Sequence, residues 1–350
     1  MRQFNTAGPS VAADHYCVDP LTRFNLDEII SLIDSKRYFV LHAPRQTGKT
    51  TCLMALMKYL NKQGRYRVIY ANIEAAQTAR NDVSHGLRTV CSQVASSLQM
   101  HLGDVVTANA WLKIFNDYGH NAALMQLLKI WTQADPAHPT ILFLDEIDAL
   151  IGDTLVSVLR QLRSGYADRP DNFPVTVILC GVRDVRDYRI HTSSGEIITG
   201  GSAFNVKAES LRLGNFSQVD VRELFGQHTL ETGQQFEEKV FDLLWKDTEG
   251  QPWLVNALGQ ELCFKMAEGK DRTRIIDAEL YQQARERLIQ SRATHLDQLV
   301  DKLQGEMGGE MGEMGTFMQL CVSYETHNCM NVPPTYWPFR KSAYPTISGI

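Results

Sequence analysis

The chain has 350 residues, 44% of them hydrophobic, and a formal net charge of -5. This supplies apolar material for one α/β domain and a smaller companion, and the acidic balance argues against a broad basic surface for nucleic acid, leaving room only for a local patch. The seven cysteines show no C-x-x-C spacing. Cys52, Cys91, Cys180 and Cys263 fall in apolar stretches and read as reduced core thiols of a cytoplasmic protein, which excludes a zinc or disulfide framework. No apolar run reaches the length of a membrane span, and the N-terminus lacks a signal-peptide core.

Residues 1–25 carry turn signals at Gly8-Pro9-Ser10 and Asp19-Pro20 and read as an irregular lead-in. His15 and Tyr16 are placed either to reach the base of a bound nucleotide or to pack on the domain edge. Leu26, Ile29, Ile30 and Ile33 give residues 26–35 one apolar helical face. Tyr38-Phe39-Val40-Leu41 is a buried strand, and Leu53, Leu56, Met57 and Leu60 mark a helix running to about Gln63, with Gly64 as its stop.

Between that strand and helix lies Ala43-Pro44-Arg45-Gln46-Thr47-Gly48-Lys49-Thr50-Thr51. It fits the phosphate-loop pattern G-x-x-x-x-G-K-[ST] except that Ala43 replaces the first glycine. Pro44 pushes Ala43 toward an extended backbone that alanine adopts without strain. Loop amides and the helix N-terminus present partial positive charge to phosphates. Lys49 then serves the β and γ phosphates, and the Thr50 hydroxyl joins a Mg²⁺ shell.

Arg67 to Ile73 reads as a second strand, 82–102 as a helix with Val83, Leu87, Val90, Val94 and Leu98 inward, and 107–134 as further helix. Asp135-Pro136 and His138-Pro139 break the pattern. Thr140-Ile141-Leu142-Phe143-Leu144-Asp145-Glu146 follows as an apolar strand ending in carboxylates, and the carboxyl end of such a strand is where ligands sit in open α/β sheets. Asp145 is the candidate Mg²⁺ residue and Glu146 the candidate for polarising an attacking water. A helix from about Thr154 to Arg163 leads to the strand Pro174 to Gly181. The arginine-rich segment Val182 to Arg189 follows. By resemblance to additional-strand P-loop ATPases, in which a polar residue at this strand end commonly senses the γ-phosphate, Arg183 is placed for that role, and a solvated Arg/Asp turn is the equal alternative. Residues 190–203 read as a mobile loop and Phe204 to Leu213 as the last strand. Four helices follow, from Ser217, Phe236 to Trp245, Pro252 to Met266, and Asp277 to Leu299. After Gln304 a Gly-Glu-Met repeat and scattered prolines indicate little packed structure.

The loop from Ala43 to Thr50, the Asp145-Glu146 pair and Gly250-Gln251-Pro252-Trp253 resemble the AAA+ and STAND branch of P-loop ATPases, closest to the bacterial AAA-like ATP-binding proteins. The resemblance covers roughly residues 10–300. It implies an α/β three-layer sandwich with a central parallel five-stranded sheet in the order 5-1-4-3-2. It also implies a division into a lead-in (1–25), a P-loop core (26–214), a small helical lid (215–303) and a tail (304–350). In that family the lid proline packs near adenine, which assigns Pro252 to the nucleotide site; the alternative is an ordinary helix start. The resulting expectation is a Mg²⁺-dependent ATP-binding protein with catalytic candidates Glu146, Lys49 and Arg183. It would hydrolyse ATP slowly and control lid position and a protein partner or self-assembly. A non-hydrolysing switch and a DNA-associated ATPase are the alternatives.

Overall fold

The computed structural model describes residues 1–184, 189–193 and 197–291. After a 3-10 turn at Pro20–Arg23, α1 (Leu26–Asp34) precedes β1 (Tyr38–His42), and the loop Ala43–Gly48 leads into α2 (Lys49–Lys62). Then come β2 (Arg67–Asn72), α3 (Val83–Leu102), α4 (Val105–Tyr118), α5 (Ala123–Gln133), β3 (Thr140–Asp145), α6 (Gly152–Ser164) and β4 (Thr176–Gly181). The short strands β5 (Arg189–His191) and β6 (Ile197–Thr199) pair antiparallel, and α7 (Gly200–Ala203) leads to β7 (Lys207–Arg212). The remainder is helical: α8 (Gln218–Thr232), α9 (Glu238–Thr248), α10 (Pro252–Gln260), a π turn at Glu261–Lys265, α11 (Ala267–Lys270) and α12 (Ala278–Gln290).

Five parallel strands form the sheet β2-β3-β4-β1-β7. Counting β7 as the fifth core strand, this is the expected order 5-1-4-3-2. β3 and β4 are buried along their whole length, as their unbroken apolar sequences require. Side chains alternate between two cores. Tyr38, Val40, Leu142, Leu144, Val177 and Leu179 meet α3 to α6 on one face. Phe39, Leu41, Ile141, Phe143, Ile178 and Cys180 meet α1 and α2 on the other. All four cysteines assigned to apolar contexts are buried and free.

A third core lies within α8 to α12 and takes in Phe4, Tyr16 and Val18 from the start of the chain. Tyr16 is therefore not aimed at a nucleotide base. Its hydroxyl meets His228 Nδ1 at 3.1 Å, and its ring packs edge-on against Phe4. Hydrophobic packing decided between the two readings of this residue.

Three boundaries differ from the sequence expectation. The stretch 107–134 is two helices, because Gly119 adopts φ 68° and ψ 173° at the end of α4, a conformation that stops a helix. The helix read from Pro252 to Met266 ends as α10 at Gln260 and continues as a π turn, in which the Met266 N–H reaches the Glu261 carbonyl. The described part of 190–203, read as a mobile loop, forms a β5–β6 ribbon and a helical turn, with Ile190 buried against the α3–α6 core. The middle of the segment Val182 to Arg189, the fourth helix beyond Ser291 and the tail after Gln304 lie outside the described residues.

Candidate nucleotide site

β1 and β3 flank β4, so the loop after β1 and the carboxylates after β3 open at the same edge of the sheet. Ala43 is fully buried, packs with the α1–α2 core, and donates its N–H to the Gly181 carbonyl at 3.2 Å. The loop residues with positive φ are Gln46 (63°) and Gly48 (89°), so the first position of the motif has no conformational need for glycine. Gln46 is the residue that bears the strain of a non-glycine in the left-handed region.

Lys49 folds back into the loop. Its Nζ donates to the Ala43 carbonyl at 2.9 Å and the Pro44 carbonyl at 3.0 Å, and Thr47 Oγ1 donates to the same Pro44 oxygen at 2.8 Å. Lys49 as a whole is 6% exposed. Two neutral carbonyls hold a cation here, an arrangement from which an arriving anion can recruit it with little rearrangement. Arg45 is exposed, whereas Pro44 and Gln46 are half-buried. Thr51 Oγ1 accepts the Ser10 N–H at 3.1 Å.

Asp145 is fully buried and held by donors on both oxygens. Its Oδ2 accepts from Thr50 Oγ1 at 2.9 Å and from the Tyr70 hydroxyl at 2.7 Å, and its Oδ1 accepts the Glu146 N–H at 2.9 Å. β2 delivers Tyr70 to this position because Asn72 pairs with Asp145 in register. Glu146 turns out of the strand in the left-handed region, φ 61° and ψ 43°, and is half-buried. Burial, and then the neighbouring Asp145 charge, push its carboxyl above the usual range; Lys49 and Arg45 oppose the shift. Asp148 is also raised by burial, with the Val182 N–H that it accepts and the Lys49 charge working the other way.

Asp148 thus ties the ends of β3 and β4 together one residue before Arg183, which is exposed just past β4. Pro252 is buried at the first position of α10, where Gln251 Oε1 caps the Leu254 N–H at 2.6 Å. It connects toward the loop helix through the lead-in. Asn256 Nδ2 donates to the Pro252 carbonyl, Asn256 Oδ1 accepts the Asn5 N–H, and Ser10 contacts Thr51.

The structure therefore brings together Ala43 to Thr51, Asp145 and Glu146, and places Arg183 at the neighbouring strand end. Three contributors escaped the sequence reading: Tyr70, Asp148 and Arg23. Arg23 Nη2 donates to the Thr47 carbonyl at 3.1 Å. The sequence signal for Asp148 was present in the acidic cluster after β3, whereas nothing local marks Tyr70 or Arg23.

Among the described residues no group of three or more His, Cys, Asp or Glu side chains is poised around a metal. A hydroxyl and a carboxylate oxygen within 2.9 Å of each other, Thr50 and Asp145, are nevertheless hard-oxygen groups of the kind that suit Mg²⁺, which takes few protein ligands and keeps phosphate and water for the rest.

A parallel sheet in this order, with the loop Ala43–Gly48 after β1 and Asp145 and Glu146 at the end of β3, is the architecture of a P-loop ATPase of the AAA+ class. The AAA-like domain family matches residues 32–307, and the chain belongs to it. Among solved structures it is similar to a Walker-type ATPase of Pyrococcus abyssi, at 15% identity and a TM-score of 0.52 over 85% of this chain and 79% of that one. It is also similar to Cdc6p from Pyrobaculum aerophilum, at 14% identity and a TM-score of 0.51 over 80% and 69%. At these identities the similarity speaks to the fold. No curated protein matches the chain. No helix among the described residues is long and apolar enough to cross a membrane.

Proposed function

We propose that the chain binds ATP with Mg²⁺ at the loop Ala43–Thr51, hydrolyses it slowly, and uses nucleotide state to set the position of the α8–α12 region. That region serves as a lid over the 26–214 core and controls contact with a protein partner or with further copies of the chain. The observation that carries this reading is the Thr50–Asp145 hydrogen bond beside Lys49, with Glu146 next in sequence. It joins a phosphate-binding loop to a carboxylate pair that an unrelated surface turn would not supply.

In this reading Lys49 leaves its two loop carbonyls for the β and γ phosphates, gaining charge-assisted hydrogen bonds in place of neutral ones. Thr50 and Asp145 would hold Mg²⁺, and the ion when bound would supply positive charge to the phosphates. Glu146 accepts a proton from the attacking water. Its half-buried setting beside Asp145 favours a proton acceptor of higher basicity than a solvated glutamate. Arg183 senses the γ-phosphate from the end of β4, and Pro252 closes on the base from the start of α10.

Lys49→Ala tests the reading. It removes the ammonium that the phosphates require, and the cavity it leaves is lined by carbonyls that water can satisfy. Calorimetric titration with MgATP should show no detectable binding, with the thermal transition retained. Wild-type affinity in this variant would remove the central claim.

A further inference from the structure

Arg23 stands outside every motif, yet one of its nitrogens joins two distant parts of the chain. Nη2 donates to the Thr47 carbonyl at 3.1 Å and to the Gly214 carbonyl at 2.6 Å. Its guanidinium lies over the Phe216 ring, 4.5 Å from the centroid, and its Nε is buried without a hydrogen-bond partner. Nη1 is 3.5 Å from the position that a Cβ on Gly48 would take, so the cation sits directly behind the phosphate loop.

The two carbonyls matter for different reasons. Thr47 C=O and Gly48 N–H belong to one peptide unit. A guanidinium on the oxygen polarises that unit and makes the N–H a stronger donor toward an anion in the loop. Gly214 lies between the end of β7 and Ser217, the cap of α8. Two residues on, the Phe216 N–H donates to the Gly250 carbonyl at 2.8 Å, beside the turn that opens α10. A contiguous path therefore runs from the loop through Arg23 to residues 214–216 and then to Gly250. The planar fork of arginine, stacked on an aromatic face, keeps both carbonyls in reach in a way that an ammonium on a flexible stem does not.

We propose that Arg23 is a positioning residue that couples phosphate binding at the loop to residues 214–216, the joint between the sheet and the helical region. The proposal deepens the nucleotide-switch reading and rests on it. An anion that draws on the Gly48 N–H strengthens the Thr47–Arg23 bond and so shifts the share of the guanidinium available to Gly214.

The test compares the full chain with Arg23→Ala and Arg23→Lys, by calorimetry with MgATP and by amide hydrogen exchange at residues 213–217 and 250–251. In the wild type, ATP should change exchange at these amides. Both variants should bind ATP about three- to tenfold more weakly, the worth of one hydrogen bond to the loop. At saturating ATP both should lose the exchange change at the joint. A variant that keeps the wild-type change under saturation overturns the coupling, as does a wild type that binds ATP with no change there. A wild type that binds no ATP overturns the underlying reading instead. Should the alanine variant fail to fold, the lysine variant, which keeps charge and stem packing, decides the question.

Discussion

Replacing Glu146 by Gln separates chemistry from binding more cleanly than any other change at the site. Glutamine has the same shape, so the left-handed backbone at φ 61° and the Glu146 N–H bond to Asp145 Oδ1 are retained. Thr50 and Asp145 keep their hydrogen bond, so the residues proposed to hold Mg²⁺ are undisturbed. What changes is one charge and one proton acceptor. An amide oxygen is a poor base, and losing a general base slows the chemical step by roughly 10²–10⁴-fold. That corresponds to about 3–5 kcal/mol of barrier, at about 1.4 kcal/mol per tenfold.

The same substitution has a consequence for the nucleotide-free protein. Because the folded state raises the Glu146 carboxyl, mainly through burial and then through Asp145, the protonated form is favoured on folding. The stability this gives the wild type is fully present below the ordinary carboxylate range and is lost as pH rises through the raised value. At neutral pH the ionised side chain is therefore a burden that glutamine lacks. The variant should match or exceed wild-type stability at pH 7, and the difference should vanish in acid. Single-turnover hydrolysis of radiolabelled ATP gives the rate, and denaturant melts at the two pH values give the linkage. An unchanged single-turnover rate puts the base elsewhere and refutes the assignment. Undetectable hydrolysis in both proteins favours a switch that does not hydrolyse.

Two further changes probe the joint and the start of α10. Gly250→Ala should cost about 2–3 kcal/mol in urea unfolding. The position has φ +73°, and a Cβ there would run into the Phe216 carbonyl oxygen and the Trp245 ring; a loss below about 1 kcal/mol would show that the turn relaxes freely. Pro252→Ala should weaken ATP binding more than binding of inorganic triphosphate if the proline faces the base. Equal losses for the two ligands, or none, would return Pro252 to its role as the first residue of a helix.

The strands of the sheet, and the edge at which the loop and the carboxylates meet, were legible from local sequence. Phe39 to Leu41, Ile141 to Leu144 and Val177 to Cys180 are continuous apolar runs, and such runs are stable only when buried on both faces. The loop and the carboxylate pair are contiguous motifs, so each could be read without knowing what lies across from it. The strand order agreed with the family resemblance, and no local pattern encodes it. Helix ends were read less well where one residue's φ decided them, as at Gly119. What the sequence alone could not disclose is every contact made across long stretches of chain. Tyr70 reaches Asp145 from 75 residues away, Tyr16 meets His228 across 212, and Arg23 spans 191 to Gly214. A tyrosine in an apolar strand or an arginine in a turn looks like many others. Tertiary packing chose its partner, because only there do strand register and helix placement bring a buried oxygen within reach of its donor.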